Sequence, residues 1–228
     1  MAFIKNSDMH IYKILGSEYQ LPLDGDIMKT KEMILMRSTV LFAQRGYYSV
    51  PVKDIATEIG IKPASLYNHF ESKEKLWEAV LEQTRRLYLL YFSQLDLELE
   101  KECKSFESAL EIMFIEPVKM ENAFTSFAFS LIMSSQFGDE GCWNIYKETF
   151  VEYSLSFFDK WFSRCIDRGY IEPFDIRTVS IGLLYHSLMG VNISVQKLMG
   201  RDVPYEHAEA MTAYKEFVLM ALKSKIKK

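Results

Sequence analysis

Apolar positions recur every three to four residues from Thr30 nearly to the end of the chain, the spacing of one buried helix face. Over Thr30–Arg45, Ile34, Ser38, Leu41 and Phe42 share a face, and Gly46 ends the pattern. Val52, Ile55, Ala56 and Ile59 form a second face. Gly60 follows where a left-handed C-terminal residue is wanted, and Ile61 gives the turn an apolar anchor. Pro63 is placed to open a third helix, because the first helical position needs no backbone N–H. Leu66 and Phe70, four apart, bury one side of it. Ala64, Ser65, Tyr67, Asn68 and His69 are left on its other sides. Ser72 then caps a long helix with apolar positions Leu76, Trp77, Val80, Leu81, Thr84, Leu87, Tyr88 and Tyr91.

Beyond Asp96 the helical period continues. Prolines and glycines divide it into predicted helices over 105–116, 117–136, 140–168, 175–199 and 204–225, with the basic tail 223–228 as a frayed helix end. No alternating strand pattern, repeat or low-complexity run interrupts the series. The expected fold class is all-α.

A helix, a short Gly-containing turn and a second helix with a small, polar outer face make the helix-turn-helix plan. Its second helix is shaped to enter a DNA major groove. Gly46-Tyr47, Asp54-Ile55-Ala56, Gly60-Ile61, Leu66-Tyr67-Asn68-His69-Phe70 and Ser72-Lys73-Glu74 closely resemble the DNA-binding domain of TetR-type transcriptional regulators, from about Lys31 to about Leu81. The resemblance implies a helix-turn-helix DNA-binding domain over 29–75 and a helical effector-binding and dimerisation domain over 76–228. It implies a homodimer, most often a repressor, that leaves a palindromic operator when a small molecule binds. By the same resemblance, the helix starting at Lys73 would be the lever between domains, and the two last long helices would pair with their copies. The alternative for those helices is a buried intrachain packing, which Gly182, Ser187, Gly190 and Ser194 would also permit.

Two positions depart from the family pattern. Val50 and Lys62 stand where relatives usually carry a Ser or Thr cap; Ser49 is a substitute cap for the first short helix, which begins near Pro51. Lysine offers no acceptor to free N–H groups and adds positive charge at the positive end of a helix. Two readings of Lys62 stay open: a phosphate contact that reverses this balance in the complex, or a solvated lysine tolerated at the cap. The full DNA-binding set is Lys53, Lys62, Pro63, Ala64, Ser65, Tyr67, Asn68, His69 and Lys73. Ala64, Ser65 and Asn68 are candidates for base edges, since Asn can bind adenine in bidentate fashion and Ala offers a methyl surface to thymine. Tyr67, His69, Lys73, Lys62 and, less directly, Lys53 are candidates for phosphate. Tyr67 as a core tyrosine and His69 as a solvated helix-end residue are the alternatives.

Charge adds to this picture. The chain has a net charge of −4, yet 29–90 carries ten Lys/Arg against seven Asp/Glu. A mildly positive segment on an acidic body suits a protein that meets DNA with one part only. Residues 1–28 are a separate problem, read as a partly ordered arm, a disordered tail or sequence upstream of a start at Met28. A minor-groove arm fits them least, with only Lys5 and Lys13 beside Asp8. Hydrophobic content of 49% argues against disorder overall. No apolar run approaches a membrane span and no signal-peptide layout is present, so a cytoplasmic protein is expected. Cys103, Cys142 and Cys165 fit reduced, mostly buried thiols.

The chain carries little chemistry of the catalytic kind. His10, His69, His186 and His207 have no metal-ligand spacing, and there is no phosphate loop, nucleophile elbow or HExxH run. No enzyme activity and no cofactor are expected. The middle of the chain is rich in large, soft side chains. Met113, Phe114, Met120, Phe124, Phe127, Met133, Trp143, Phe150, Tyr153, Tyr185 and Met189 are candidates for an apolar or aromatic effector site, with plain core as the alternative for each. Two other functions remain: a DNA-binding regulator whose second domain only dimerises or binds a protein, and a helical ligand carrier or enzyme without DNA binding.

Overall fold

Helix α1 (Thr30–Arg45) buries Ile34, Met36, Ser38, Thr39 and Phe42 on one side. It ends at Gly46, whose φ of 79° lies in the left-handed region that glycine adopts without strain. Helices α2 (Val52–Ile59) and α3 (Pro63–Tyr67) are too short to stand alone. They bury Ile55, Ala56 and Leu66 against α1. Arg45–Asp54 at 2.7 Å and Arg37–Glu58 at 3.7 Å bind α1 to α2 across their exposed edges. The computed structural model describes residues 30–117 and 123–227, so the readings for 1–28 and for Met120 lie outside the described residues.

Helix α4 (Lys73–Glu102) starts under a cap in which Ser72 Oγ accepts from the Lys75 N–H at 3.2 Å. Five further helices surround it: α5 (Phe106–Phe114), α6 (Ala123–Ser135), α7 (Glu140–Ile145), α8 (Ser154–Asp167) and α9 (Ile176–Leu198), followed by α10 (His207–Leu222). A π-helical segment, Tyr146–Tyr153, joins α7 to α8 without a break. The predicted 140–168 helix is therefore continuous, but its middle is wound more loosely than the sequence period suggested.

This composite helix lies parallel to α4 for most of its length. Trp77 Nε1 donates to Asp139 Oδ2 at 3.0 Å, Tyr88 Oη and Ser154 Oγ share a hydrogen bond at 2.9 Å, and Trp161 Nε1 donates to Asp96 Oδ1 at 2.7 Å. Near the far end Arg164 and Arg168 pair with Glu100. The partner numbers climb together, which fixes the direction. Between the two lies an aromatic core of Tyr88, Phe92, Phe129, Phe150, Phe157 and Phe158. Helix α6 packs against α1 on one side and α9 on the other, touching both the helix-turn-helix and the larger helical body.

Two expectations need correction. The last helix starts at His207 instead of 204, because Glu206 and Glu209 form a capping box there. The basic tail is not a frayed end: Ile226 bridges to Ile171, Glu172 N–H donates to Lys225 O at 2.8 Å, and Lys227 N–H donates to Tyr170 O at 3.1 Å. Ile226 packs against the core, which supplies the apolar anchor that a run of lysines hides. Helix α9 has the length and mean hydropathy (1.3) at which a helix could cross a membrane, a composition that core helices share, and polar residues interrupt its apolar positions.

Candidate DNA-binding surface and effector cavity

The turn between α2 and α3 is held by backbone alone. Gly60, with φ of 78°, donates its N–H to Thr57 O at 3.2 Å, and Ile61 N–H reaches Ala56 O at 2.9 Å. This is a Schellman closure, and it needs the left-handed residue. Pro51 occupies the cap position of α2 with no side-chain hydrogen bond, so Ser49 does not cap it and Pro51 is not its first helical residue. Lys62 occupies the cap of α3, also with no side-chain hydrogen bond, and Pro63 follows as the first helical residue. The start of α3 thus rests on proline geometry.

Lys53, Lys62, Pro63, Ala64, Tyr67, Asn68 and His69 are exposed, and Ser65 is half-buried. Tyr67 is half exposed, which removes the core-tyrosine alternative. Lys73 is different. Its ammonium donates to the Tyr47 carbonyl at 2.6 Å and sits 4.2 Å from the centre of the Tyr47 ring. Burial holds its pKa below the usual lysine value. Lys73 therefore fastens the turn before α2, a role that its place after a cap serine did not announce.

In the helical body a cavity of about 70 Å³ opens between α4, α6, the π segment, α9 and α10. A single water needs only about 10–15 Å³ on this scale, so there is room for a small ring or chain. From α4 come Tyr88, Tyr91 and Phe92; Phe129 comes from α6 and Phe150 from the π segment. Leu184, Ser187 and Leu188 of α9 and His207 and Met211 of α10 close the other side. Ser187, Thr125 and His207 are polar, and no Asp, Glu, Lys or Arg is among the described lining residues. Tyr88 and Phe150 stack at 4.0 Å between ring centres. Burial pushes the Tyr88 phenol above its ordinary pKa and keeps it neutral.

Of the effector candidates, Met113 and Phe150 line this cavity. Phe114 stacks instead on Tyr214, while Phe124 and Phe127 are buried along α6 outside the cavity lining, as is the half-buried Met133. Trp143 and Tyr153 are under half exposed on the composite helix and lie outside the cavity lining; Tyr185 and Met189 point out from α9. The α4 trio Tyr88, Tyr91 and Phe92 was missed as a lining. Its spacing of three and four puts the rings on one face, but it reads equally as the buried side of a linking helix.

The glycines of α9 face α10. A Cβ on Gly190 would lie 1.9 Å from the His207 ring, and one on Gly182 would lie 1.8 Å from Tyr214 Oη. Tyr214 in turn stacks on His186 at 4.0 Å. These small residues serve an intrachain contact. An adjoining face is apolar and exposed: Tyr185 (68%), Met189 (54%) and Ile181 on α9, with Phe217 (57%) and Met220 (69%) on α10.

Comparison with known proteins bears on the first fifty or so described positions and on the fold. Residues 34–80 match the family of bacterial regulatory proteins, tetR family. The stretch is 42% identical over 48 residues to the Staphylococcus aureus negative transcriptional regulator IcaR of the biofilm operon icaADBC, covering 21% of this chain and 26% of that protein. It is 43% identical over 51 residues to the transcriptional repressor KstR2 of Mycolicibacterium smegmatis, covering 22% and 25%. The matched stretch thus spans about a quarter of the length of these curated relatives. A solved protein from Saccharomonospora viridis, in complex with choline, shares the fold with a TM-score of 0.65 at 18% identity, over 88% of this chain and 99% of that one. With residues 34–80 matched in sequence and the helical body matched in fold, the chain carries a helix-turn-helix domain of the TetR type on an all-helical body.

Proposed function

We propose that this protein is a dimeric repressor that binds a palindromic operator and releases it when an uncharged apolar or aromatic molecule enters the cavity beside α4. The observation that carries DNA binding is the exposed face of α3. Ala64, Tyr67, Asn68 and His69 stand clear of the core there, flanked by Lys53 and Lys62. Pro63 opens the helix and contributes to its DNA-facing end. Ser65 and Asn68 supply hydrogen-bonding groups for base edges, Ala64 a methyl-sized surface, and Lys62 and Tyr67 phosphate contacts. Two such helices in a twofold dimer would reach successive major grooves about 34–36 Å apart.

The cavity supports an effector without charge. A buried ion needs a partner or pays a large desolvation penalty, and none of the described lining residues is an acid, Lys or Arg. The aromatic walls suit a flat or branched apolar group, with Ser187, Thr125 or His207 meeting one polar tip. Domain limits of 29–75 and 76–228 fit this division of labour, since α4 begins in one unit and lines the cavity of the other.

The test selects duplexes from a random library with the full-length protein. An enriched inverted repeat, bound with strong salt dependence and weakened by members of a neutral aromatic panel that also raise the melting temperature, is expected. Failure to enrich any sequence overturns the reading.

A further inference from the structure

We propose that Asp139 is a positioning residue that couples the effector cavity to the DNA-binding unit: its carboxylate holds the Trp77 indole, and the π segment carrying Phe150 sets where that carboxylate lies. The proposal rests on the ligand-responsive reading above and adds the route.

Asp139 has two tasks. Its Oδ1 accepts from the Cys142 N–H at 2.8 Å and so caps α7. Its Oδ2 accepts from Trp77 Nε1 at 3.0 Å. Trp77 packs against Phe42 of α1 at 5.5 Å and Tyr47 at 4.9 Å between ring centres. The Tyr47 carbonyl is the group held by Lys73, and the turn it belongs to leads into α2. A displacement of Asp139 therefore reaches the helix-turn-helix through one hydrogen bond and one aromatic cluster.

The source of that displacement lies eleven residues along the same composite helix, where Phe150 lines the cavity. Its ring stacks on Tyr88 and meets Phe129 edge-on at 5.6 Å. A ligand in the cavity competes for the space beside these rings. Phe150 belongs to the π segment, a winding that holds an extra residue and is less well bonded than an α-helix. Shifting or relaxing it moves one flank against the other by about one residue, roughly 1.5 Å along the axis with a large rotation. The α8 flank is fastened to α4 by Trp161–Asp96 and Arg168–Glu100. The movement then appears at the α7 flank, whose side-chain bond to α4 is Asp139–Trp77.

Asp139→Asn separates the two tasks. Asparagine caps a helix about as well as aspartate, so its oxygen keeps the Cys142 bond. Its amide NH₂ then faces the indole N–H, donor to donor, and the link to Trp77 is lost. Trp77→Phe cuts the same link from the other side and keeps a ring in place.

The experiment uses full-length protein, a library-selected duplex and benzene, an established probe of apolar cavities. Wild type is expected to bind benzene, to lose about ten-fold in DNA affinity, and to shift the Trp77 indole resonance, assigned with Trp77→Phe. Asp139→Asn and Trp77→Phe are expected to bind benzene and duplex, yet to hold their DNA affinity when benzene is added. If either variant releases DNA as wild type does, the relay is wrong and the ligand-responsive reading survives. If benzene leaves wild-type DNA affinity unmoved, or does not bind, both fall.

Discussion

Lys62 is where sequence and structure agree most closely on a conflict. The cap of α3 is empty, the backbone there is extended (φ −76°, ψ 144°), and the lysine is exposed. Lys62→Ser would supply an acceptor and raise stability by about 0.5–2 kcal/mol. If Lys62 holds phosphate, the same change lowers DNA affinity and reduces the salt slope by about one. Opposite movements in a urea melt and in an anisotropy titration are the expected outcome; a more stable variant with an unchanged slope leaves only a solvated lysine. Gly190 makes a second residue-scale case. In an open helix position Gly→Ala gains about 1 kcal/mol. Here the new methyl would lie 1.9 Å from the His207 ring. Overpacking of this kind costs about 1–3 kcal/mol, so Gly190→Ala should lower the urea midpoint. The small residues of α9 were visible in the sequence, but their partner was not, since spacing shows that helices approach closely without showing which chain they belong to.

The short elements at the N-terminal end were legible because local rules determine them. Gly46, Gly60, Pro63 and Ser72 each impose a backbone state, and α1 through the start of α4 fall where those residues put them. The cavity was less legible. Composition points to Met113 and Phe150, while Tyr88 and Tyr91 read as positions of a linking helix and Phe92 carries no signal of its own. Which face of a long helix meets a cavity depends on its neighbours, and α4 has one neighbour running parallel for most of its length. The π segment left no sign in the sequence at all, because apolar spacing tolerates one extra residue. The hold on α4 of the residue that follows it, Ser154 at the start of α8, can be tested without any ligand. Tyr88→Phe removes the hydroxyl paired with buried Ser154 at 2.9 Å. The stranded serine should cost about 1–3 kcal/mol, read as a lower melting temperature with DNA affinity in the ligand-free state unchanged.

At the scale of the whole molecule, the exposed apolar face of α9 and α10 is the feature that a lone chain leaves unexplained. Ile181, Tyr185 and Met189 repeat every four residues along α9, and Phe217 and Met220 lie on α10, the helix packed beside it. Contiguous apolar surface of this kind marks an association site. A second copy related by a twofold axis would cover the face with itself, as an isologous contact requires. Such a dimer carries two α3 helices, and each half-site then gains from the other by effective concentration. Tyr185→Glu and Phe217→Glu place charge in the middle of that face; Tyr185 is 68% exposed, and Phe217, 57% exposed, gives up only its outer stacking on Tyr214. Each should leave the fold intact, give the monomer mass by light scattering, and weaken binding to a two-half-site duplex by about 100-fold or more, the scale of lost bivalency. Binding to a single half-site should be little changed. A variant that stays dimeric would place the twofold contact elsewhere, and one that is monomeric yet binds the full operator as tightly as wild type would remove the dimer from DNA recognition.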